Sequence, residues 1–159
     1  MSKDSLKAGF SFGVTSGIIT TLGLMVGLNS GTHSRLAVIG GVLTIAVADS
    51  LSDSLGIHIS EESENHHTHK EVWVSTISTL VSKLAFALSF LVPILLFELS
   101  TAIVISLIWG GFMLSFLSYC IARGKGTNPW RAVGEHLFIA LLVINITHFV
   151  GKWISLNFG

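Results

Sequence analysis

Two carboxylates lie four residues apart in the stretch AVADSLSDSLGIHIS, which follows an apolar run beginning at Leu36. On a helix, Asp49 and Asp53 share one face, because residues four apart are neighbours. A charged Asp near the middle of a membrane costs about 2.5 to 3.5 kcal/mol even on lenient insertion scales, so the pair needs water, protons or a bound cation. The alternative is a helix end that emerges into the cytosol with both carboxylates solvated.

Hydroxyl groups and a Glu/His segment after the aspartates supply further ligands for a cation. Carboxylates and imidazoles suit divalent Mn, Fe, Co, Ni and Zn, so we predict that the segment collects such ions. A solvated polar loop is the alternative, and the hydroxyls of the first helix have the alternative of bonding back to their own carbonyls. The hydroxyl candidates for a metal path are Ser16, Thr20 and Ser52, and the collecting candidates are Glu61, Glu62, Glu64, His66, His67 and His69.

Three more polar residues interrupt apolar runs and are candidate intramembrane partners. Lys83 is either a countercharge for the aspartate pair or extends its ammonium to the inner membrane surface, and we expect the second. Asn145 and His148 are three residues apart on one face, and we expect them to form hydrogen bonds between helices.

The composition predicts a membrane protein. Of the 159 residues, 50% are hydrophobic and 11% are charged, whereas soluble domains carry about 25% charged residues. A net charge of zero argues against a nucleic-acid partner. The single Cys120 excludes an intrachain disulfide and a multi-cysteine metal site. The first apolar run is as long as a full span and lacks a convincing cleavage site, so we expect no signal peptide.

The apolar runs predict an all-α, polytopic membrane protein with one transmembrane domain over residues 1–159. Basic residues gather on the side of the N-terminus, which places that terminus in the cytoplasm. The Pro in the third span is expected to kink it. The predicted transmembrane helices are at residues 8–28, 36–60, 72–97, 101–122 and 132–155, and the segment 59–70 is predicted to be a short cytosolic Glu/His-rich loop.

The first helix carries Gly9, Gly13 and Gly17 at intervals of four residues. In lipid, small residues at this spacing let two helices approach closely. The partner is either another helix of the same subunit or a second copy of the chain. We predict a homodimer formed through helix 1.

Two motifs resemble the vacuolar iron transporter family: GVTSGIITTLGLMVGL in helix 1 and VADSLSDSLGIHISEESE in helix 2. The later LVPILLF, RGKGTNPWR and THFVGKWI follow in the family's order, so the likeness covers about residues 6–154. The resemblance implies a five-helix homodimer that exports cytosolic ferrous iron, and often manganese, in exchange for protons. It also implies a path where helices 1 and 2 of two subunits meet.

The chain departs from that family at three places. Ser16 stands where members typically carry Asp before the Gly of the helix 1 motif. Asp53 stands where a Met commonly follows the Ser of the helix 2 motif, whereas Asp49 falls on a frequent acidic position. The connection between helices 2 and 3 is short, whereas many relatives carry a Glu-rich metal-collecting domain there.

Together these observations predict a divalent-metal transporter and not an enzyme. Fe²⁺ or Mn²⁺ is expected as the transported substrate, with no permanently bound cofactor. The expected partners are a second copy of the chain, the lipid bilayer, metal ions and protons, in the membrane of a prokaryotic cell or an organelle. The alternatives are a non-transporting metal sensor or scaffold, or a metal-dependent membrane enzyme. Phosphatidyl-group transferases share the Asp-x-x-x-Asp spacing, but the Asp-Gly-x-x-Ala-Arg element that they need does not precede Asp49.

Overall fold

The computed structural model describes residues 3–64 and 67–159, and within these residues the chain forms helices and no strand. The predicted all-α class is therefore confirmed. Five helical segments of the described chain are long and apolar enough to cross a membrane, when α3 and α4 are counted as one. The helices in chain order are α1 (Lys3–Thr32), α2 (Arg35–Ser63), α3 (His69–Ser89), α4 (Leu91–Leu96), α5 (Leu99–Gly124) and α6 (Pro129–Phe158).

Four segments reach beyond both predicted bounds, and the third begins earlier than predicted but ends one residue short, at Leu96. Of the predicted loop, residues 59–63 and 69–70 are helical. Helix α2 continues to Ser63 and α3 begins at His69. Thr68 and Glu71 form a capping box, in which each side chain accepts a hydrogen bond from the other residue's backbone N–H. This arrangement satisfies two of the free N–H groups at the start of α3. The polar residues in this part of the loop thus act as a helix start.

The predicted kink at Pro93 is a full break between α3 and α4. Proline lacks an N–H, and its ring clashes with the carbonyl four residues earlier, which here belongs to Ser89. Helix α3 ends at that residue, Phe90 forms a turn, and α4 follows. At the end of α4 the Arg35 guanidinium donates a hydrogen bond of 2.7 Å to the Leu95 carbonyl oxygen.

Helix α1 lies at the centre of the subunit and packs against α2, α3, α5 and α6. A Cβ atom added to Gly9 would lie 2.9 Å from the Ser75 Cα atom, and one added to Gly13 would lie 2.6 Å from the Thr79 carbonyl oxygen. Both distances are too short for a real Cβ atom, so the glycines permit the close approach of α3. The glycine spacing of the first helix therefore serves packing within the subunit.

The outside of the bundle is apolar, and its inside holds a hydrophobic core together with buried polar side chains. The large apolar surface differs from that of soluble domains, where exposed apolar patches stay small. It is compatible with a multi-pass membrane protein. Large exposed side chains include Leu51, Leu55, Ile108, Phe116, Phe138 and Phe149, whereas fully buried hydroxyls include Thr21, Ser50, Ser75, Thr79 and Ser106.

Candidate ion-binding site

The aspartate pair lies in the middle of α2. Asp49 is fourteen residues from each end of this helix, which is about 21 Å at 1.5 Å per residue. The helix continues for ten residues beyond Asp53, and Leu55 and Ile59 are exposed on this last part. The pair therefore lies well inside the helix and not at its end.

Lys83 of α3 is the countercharge of the aspartate pair. Its side chain is 1% exposed, and its Nζ atom lies 2.5 Å from Asp49 Oδ2. The same ammonium donates a hydrogen bond to Asp53 Oδ2. The expectation that Lys83 extends to the inner membrane surface is wrong, because its ammonium is buried against the two carboxylates.

Ser16 connects α1 to this cluster. Its hydroxyl donates a hydrogen bond of 2.7 Å to Asp53 Oδ2 and accepts one of 2.9 Å from Lys83 Nζ. The neighbouring Gly17 lets α3 approach, since a Cβ atom there would lie 3.1 Å from the Lys83 carbonyl oxygen. Three helices thus supply the cluster: α1 the hydroxyl, α2 both carboxylates and α3 the ammonium. We call these four residues the ion cluster.

The ion cluster carries one excess negative charge when each group has its ordinary charge. The Asp49 and Asp53 side chains are 26% and 23% exposed, whereas Lys83 is almost fully covered. The carboxylates therefore have one side open and the other side against the ammonium. Asp49 Oδ2 is close to Lys83 but accepts no hydrogen bond of good geometry. A buried ion pair is favourable only when its geometry is good, so this contact leaves Asp49 incompletely satisfied.

The other two hydroxyl candidates, Thr20 and Ser52, make no hydrogen bond to the aspartates. Thr20 donates a hydrogen bond of 2.8 Å to the Ser16 carbonyl oxygen in its own helix, which is the alternative stated for helix 1 hydroxyls. Ser52 is exposed on the outer face of α2, between the two aspartates in sequence. Of the three, only Ser16 contacts the carboxylates through a hydrogen bond that joins two helices.

The Glu/His segment forms no metal site within the described residues, where no three His, Cys, Asp or Glu side chains are placed to hold one ion. Glu61 accepts a hydrogen bond of 2.6 Å from Ser75 of α3. His69 Nε2 accepts one of 3.2 Å from Trp73 Nε1. His66 lies outside the described residues. The remaining members, which include a His–Glu pair at 3.7 Å, are Glu62, Glu64 and His67.

The polar residues of the last span lie away from the ion cluster. His148 Nδ1 forms a hydrogen bond of 2.7 Å with the Ser30 hydroxyl of α1, as expected for a bond between helices. Asn145 instead donates to the Leu141 carbonyl oxygen of its own helix. Ser30 is fourteen residues from Ser16 along α1, or about 21 Å, so these residues are not ligands of the cluster.

One polar contact between α2 and α3 was not predicted. His58 Nδ1 forms a hydrogen bond of 2.9 Å with the Thr76 hydroxyl. The His58 ring also contacts Trp73 edge-on, with 4.8 Å between the ring centroids. His58 lies before the run of Glu and His residues in the sequence. Its position on α2, five residues after Asp53, is the feature from which a polar contact could have been predicted.

Comparison of the chain with protein-family models, with curated proteins and with solved structures finds no match. The resemblance to the vacuolar iron transporter family therefore stays a prediction that rests on the motifs themselves. The class that the structure defines is a bundle of five membrane-length helical segments with an ion cluster at mid-helix.

Proposed function

We propose that the chain is one subunit of a membrane transporter for divalent cations of the Fe²⁺ or Mn²⁺ kind. The observation that supports this proposal most directly is the ion cluster, which combines two carboxylates and a hydroxyl halfway along apolar helices. Ionisable residues at such a depth are costly and commonly mark an ion pathway. Oxygen ligands of this kind suit Mn²⁺, Fe²⁺ and Mg²⁺ better than softer ions.

The open side of the carboxylates favours a path along α2. Gly56, Ser52 and Ala48 are exposed next to the aspartates, and so are Thr44 and Gly40 towards the other end of the helix. These residues follow one another at intervals of four, and we call them the small-residue face. A Cβ atom on either glycine would meet no atom within 4 Å. Small residues at this spacing are typical of helix contacts in lipid.

We propose that a second copy of the chain packs on the small-residue face. The glycines at the start of α1 are buried against α3, so α2 offers the freer surface for assembly. One subunit supplies two carboxylates to the site, and a divalent cation usually takes more oxygen ligands than that. A dimer related by a two-fold axis would bring four carboxylates and two Ser16 hydroxyls towards one path. The resemblance adds the direction of transport, out of the cytosol in exchange for protons, with the N-terminus in the cytoplasm.

A liposome assay tests transport directly. Purified protein is reconstituted with a metal-sensitive dye inside the vesicles, and Mn²⁺, Fe²⁺, Co²⁺ and Mg²⁺ are added with and without a pH gradient. Asp49→Asn and Asp53→Asn should each lower flux about tenfold or more, since a bond to a charged group is worth about 1.5–3 kcal/mol. Glu98→Gln is the control, because Glu98 is exposed at the start of α5 and its side chain makes no capping bond.

A non-transporting scaffold is the second candidate, and Lys83 is the observation that favours it. The ammonium already balances one carboxylate and could make the cluster a purely structural ion pair. A scaffold predicts no flux of any ion above that of empty liposomes, together with loss of stability in both Asn variants. Wild-type flux in the Asp49→Asn, Asp53→Asn double variant would refute the role of the pair in transport.

A further inference from the structure

Lys83 occupies the place that a bound cation would take at the aspartate pair. Its Nζ atom lies against one oxygen of each carboxylate and donates a hydrogen bond to a third oxygen, that of the Ser16 hydroxyl. All three contacts come from oxygen atoms, which are also the ligands of hard divalent ions. The side chain reaches this place from the covered side of the cluster, where it is 1% exposed.

We propose that Lys83 is a tethered cation that competes with the transported ion, so that a divalent ion binds by displacing the ammonium from the two carboxylates. This inference rests on the proposed function and adds a residue that sets the affinity of its site. The ammonium is carried on a flexible four-carbon stem, which allows it to move without a change in the backbone. Displacement also frees the Ser16 hydroxyl to turn towards the incoming ion.

The charges of the cluster support this competition. With Lys83 in place the site carries one negative charge, and adding a divalent ion would leave it with one excess positive charge. With the ammonium displaced, the two carboxylates and one divalent ion are neutral together, and the positive charge of Lys83 is carried at a distance from the ion. Two cations at the same pair of carboxylates repel each other, so the arrangement that separates them is favoured over one that holds both. The imperfect contact at Asp49 Oδ2 lowers the cost of losing the ammonium.

The tethered cation also has a consequence for release. Conduction requires that an ion bind well enough to enter and weakly enough to leave. When a divalent ion departs, the Lys83 ammonium returns to the carboxylates and the site does not remain bare. Lys83 should therefore weaken binding and favour turnover.

Mn²⁺ binding to purified protein in nanodiscs, measured by calorimetry, tests the inference. Lys83→Met keeps an unbranched side chain that is only one atom shorter and removes the charge. It should bind Mn²⁺ about tenfold or more tightly than wild type, a factor within the range by which one bound group usually changes the affinity for another. It should also melt at a lower temperature than wild type without Mn²⁺ and recover in a saturable manner when Mn²⁺ is added.

Two variants serve as matched controls. Lys83→Arg keeps the positive charge and should retain the weak binding of wild type. The double variant Lys83→Met, Asp49→Asn keeps one excess negative charge without any ammonium, and should lose the gain in Mn²⁺ affinity. If Lys83→Met does not fold even with Mn²⁺ present, Lys83→Gln carries the same test, because its amide can donate to the carboxylates without a charge.

Equal Mn²⁺ affinity in wild type and in the neutral variants would overturn the inference, as would a loss of stability that no Mn²⁺ concentration reverses. Tighter binding by Lys83→Arg would also contradict it. The proposed function can fail separately from this inference. If Lys83→Met binds Mn²⁺ tightly but the wild-type protein shows no flux, transport is refuted and the tethered cation is retained. Wild-type flux with unchanged affinity in Lys83→Met would refute the tethered cation alone.

Discussion

Gly9→Ala in α1 should destabilise the subunit itself. The added Cβ atom would lie 2.9 Å from the Ser75 Cα atom and still closer to the carbonyl oxygen of that residue. Carbon atoms in ordinary contact are about 3.5–4.0 Å apart, so α1 and α3 must separate by roughly 1 Å. The Thr79 hydroxyl donates a hydrogen bond of 3.1 Å to the Gly9 carbonyl oxygen, and the separation strains it.

The expected cost follows from these two effects. Overpacking of a well-packed contact costs about 1–3 kcal/mol. A hydrogen bond between membrane helices contributes about 0.6 kcal/mol on average, and the neighbouring Ser78 bond to the Leu6 carbonyl oxygen is also strained. The two bonds therefore add about 1 kcal/mol. Alanine's better helix propensity offsets up to about 1 kcal/mol of this loss. The net destabilisation should be about 1–3 kcal/mol.

Unfolding in mixed micelles, followed by tryptophan fluorescence, measures this change. Gly134→Ala is the matched control, because a Cβ atom there meets nothing within 4 Å and Gly134 lies outside the small-residue face. It should be neutral or stabilising by up to about 1 kcal/mol, since alanine favours helix. Equal stability of Gly9→Ala and Gly134→Ala would show that α1 does not pack on α3 in this way.

Two further predictions concern assembly and orientation. Gly56→Leu should shift the mass measured in native lipid from that of a dimer to that of a monomer, without loss of subunit stability. Gly134→Leu, on the open side of α6, is the control and should leave the mass unchanged. A monomeric mass for the wild-type protein would refute the dimer proposal. In a Cys120→Ser background, a cysteine at position 63 stands at the last residue of α2, the end that the proposed orientation places in the cytoplasm. It should react with impermeant thiol reagents added on the cytoplasmic side. Reaction from the external side alone would reverse the proposed orientation.

The helices could be predicted from the sequence, because membrane-length apolar runs identify themselves by composition. The shared face of Asp49 and Asp53 also followed from their spacing on one helix. Lys83 could not be assigned in the same way. It lies 30 residues from Asp53 and 67 from Ser16 in the chain, and its contact with them depends on the relative depth and rotation of three helices. Side-chain spacing within one helix holds no information about either quantity.

The glycines also show that spacing within one helix does not identify its neighbours. Intervals of four predict that two helices approach closely, but they do not identify the partner helix. The structure assigns the α1 glycines to α3 and α6. It leaves Gly40 and Gly56 of α2 open, whereas Gly41 packs against Leu24 and Leu28 of α1. Gly40 and Gly56 are sixteen residues apart and form a pattern only with Thr44, Ala48 and Ser52 between them. The small-residue pattern of α2, which contains fewer glycines than that of α1, is thus the one that lies on the open surface.

Two departures from the resembled family involve residues that touch each other. Ser16 stands where that family implies a carboxylate in helix 1, and Asp53 supplies a carboxylate in helix 2 that accepts a hydrogen bond of 2.7 Å from Ser16. In terms of the resemblance, which stays a prediction, the carboxylate stands on the other side of the contact between α1 and α2. Lys83 is the residue whose positive charge offsets one of the two carboxylates of this chain. For this reason the neutral variants at Lys83 distinguish an ion site with a built-in competitor from a structural ion pair.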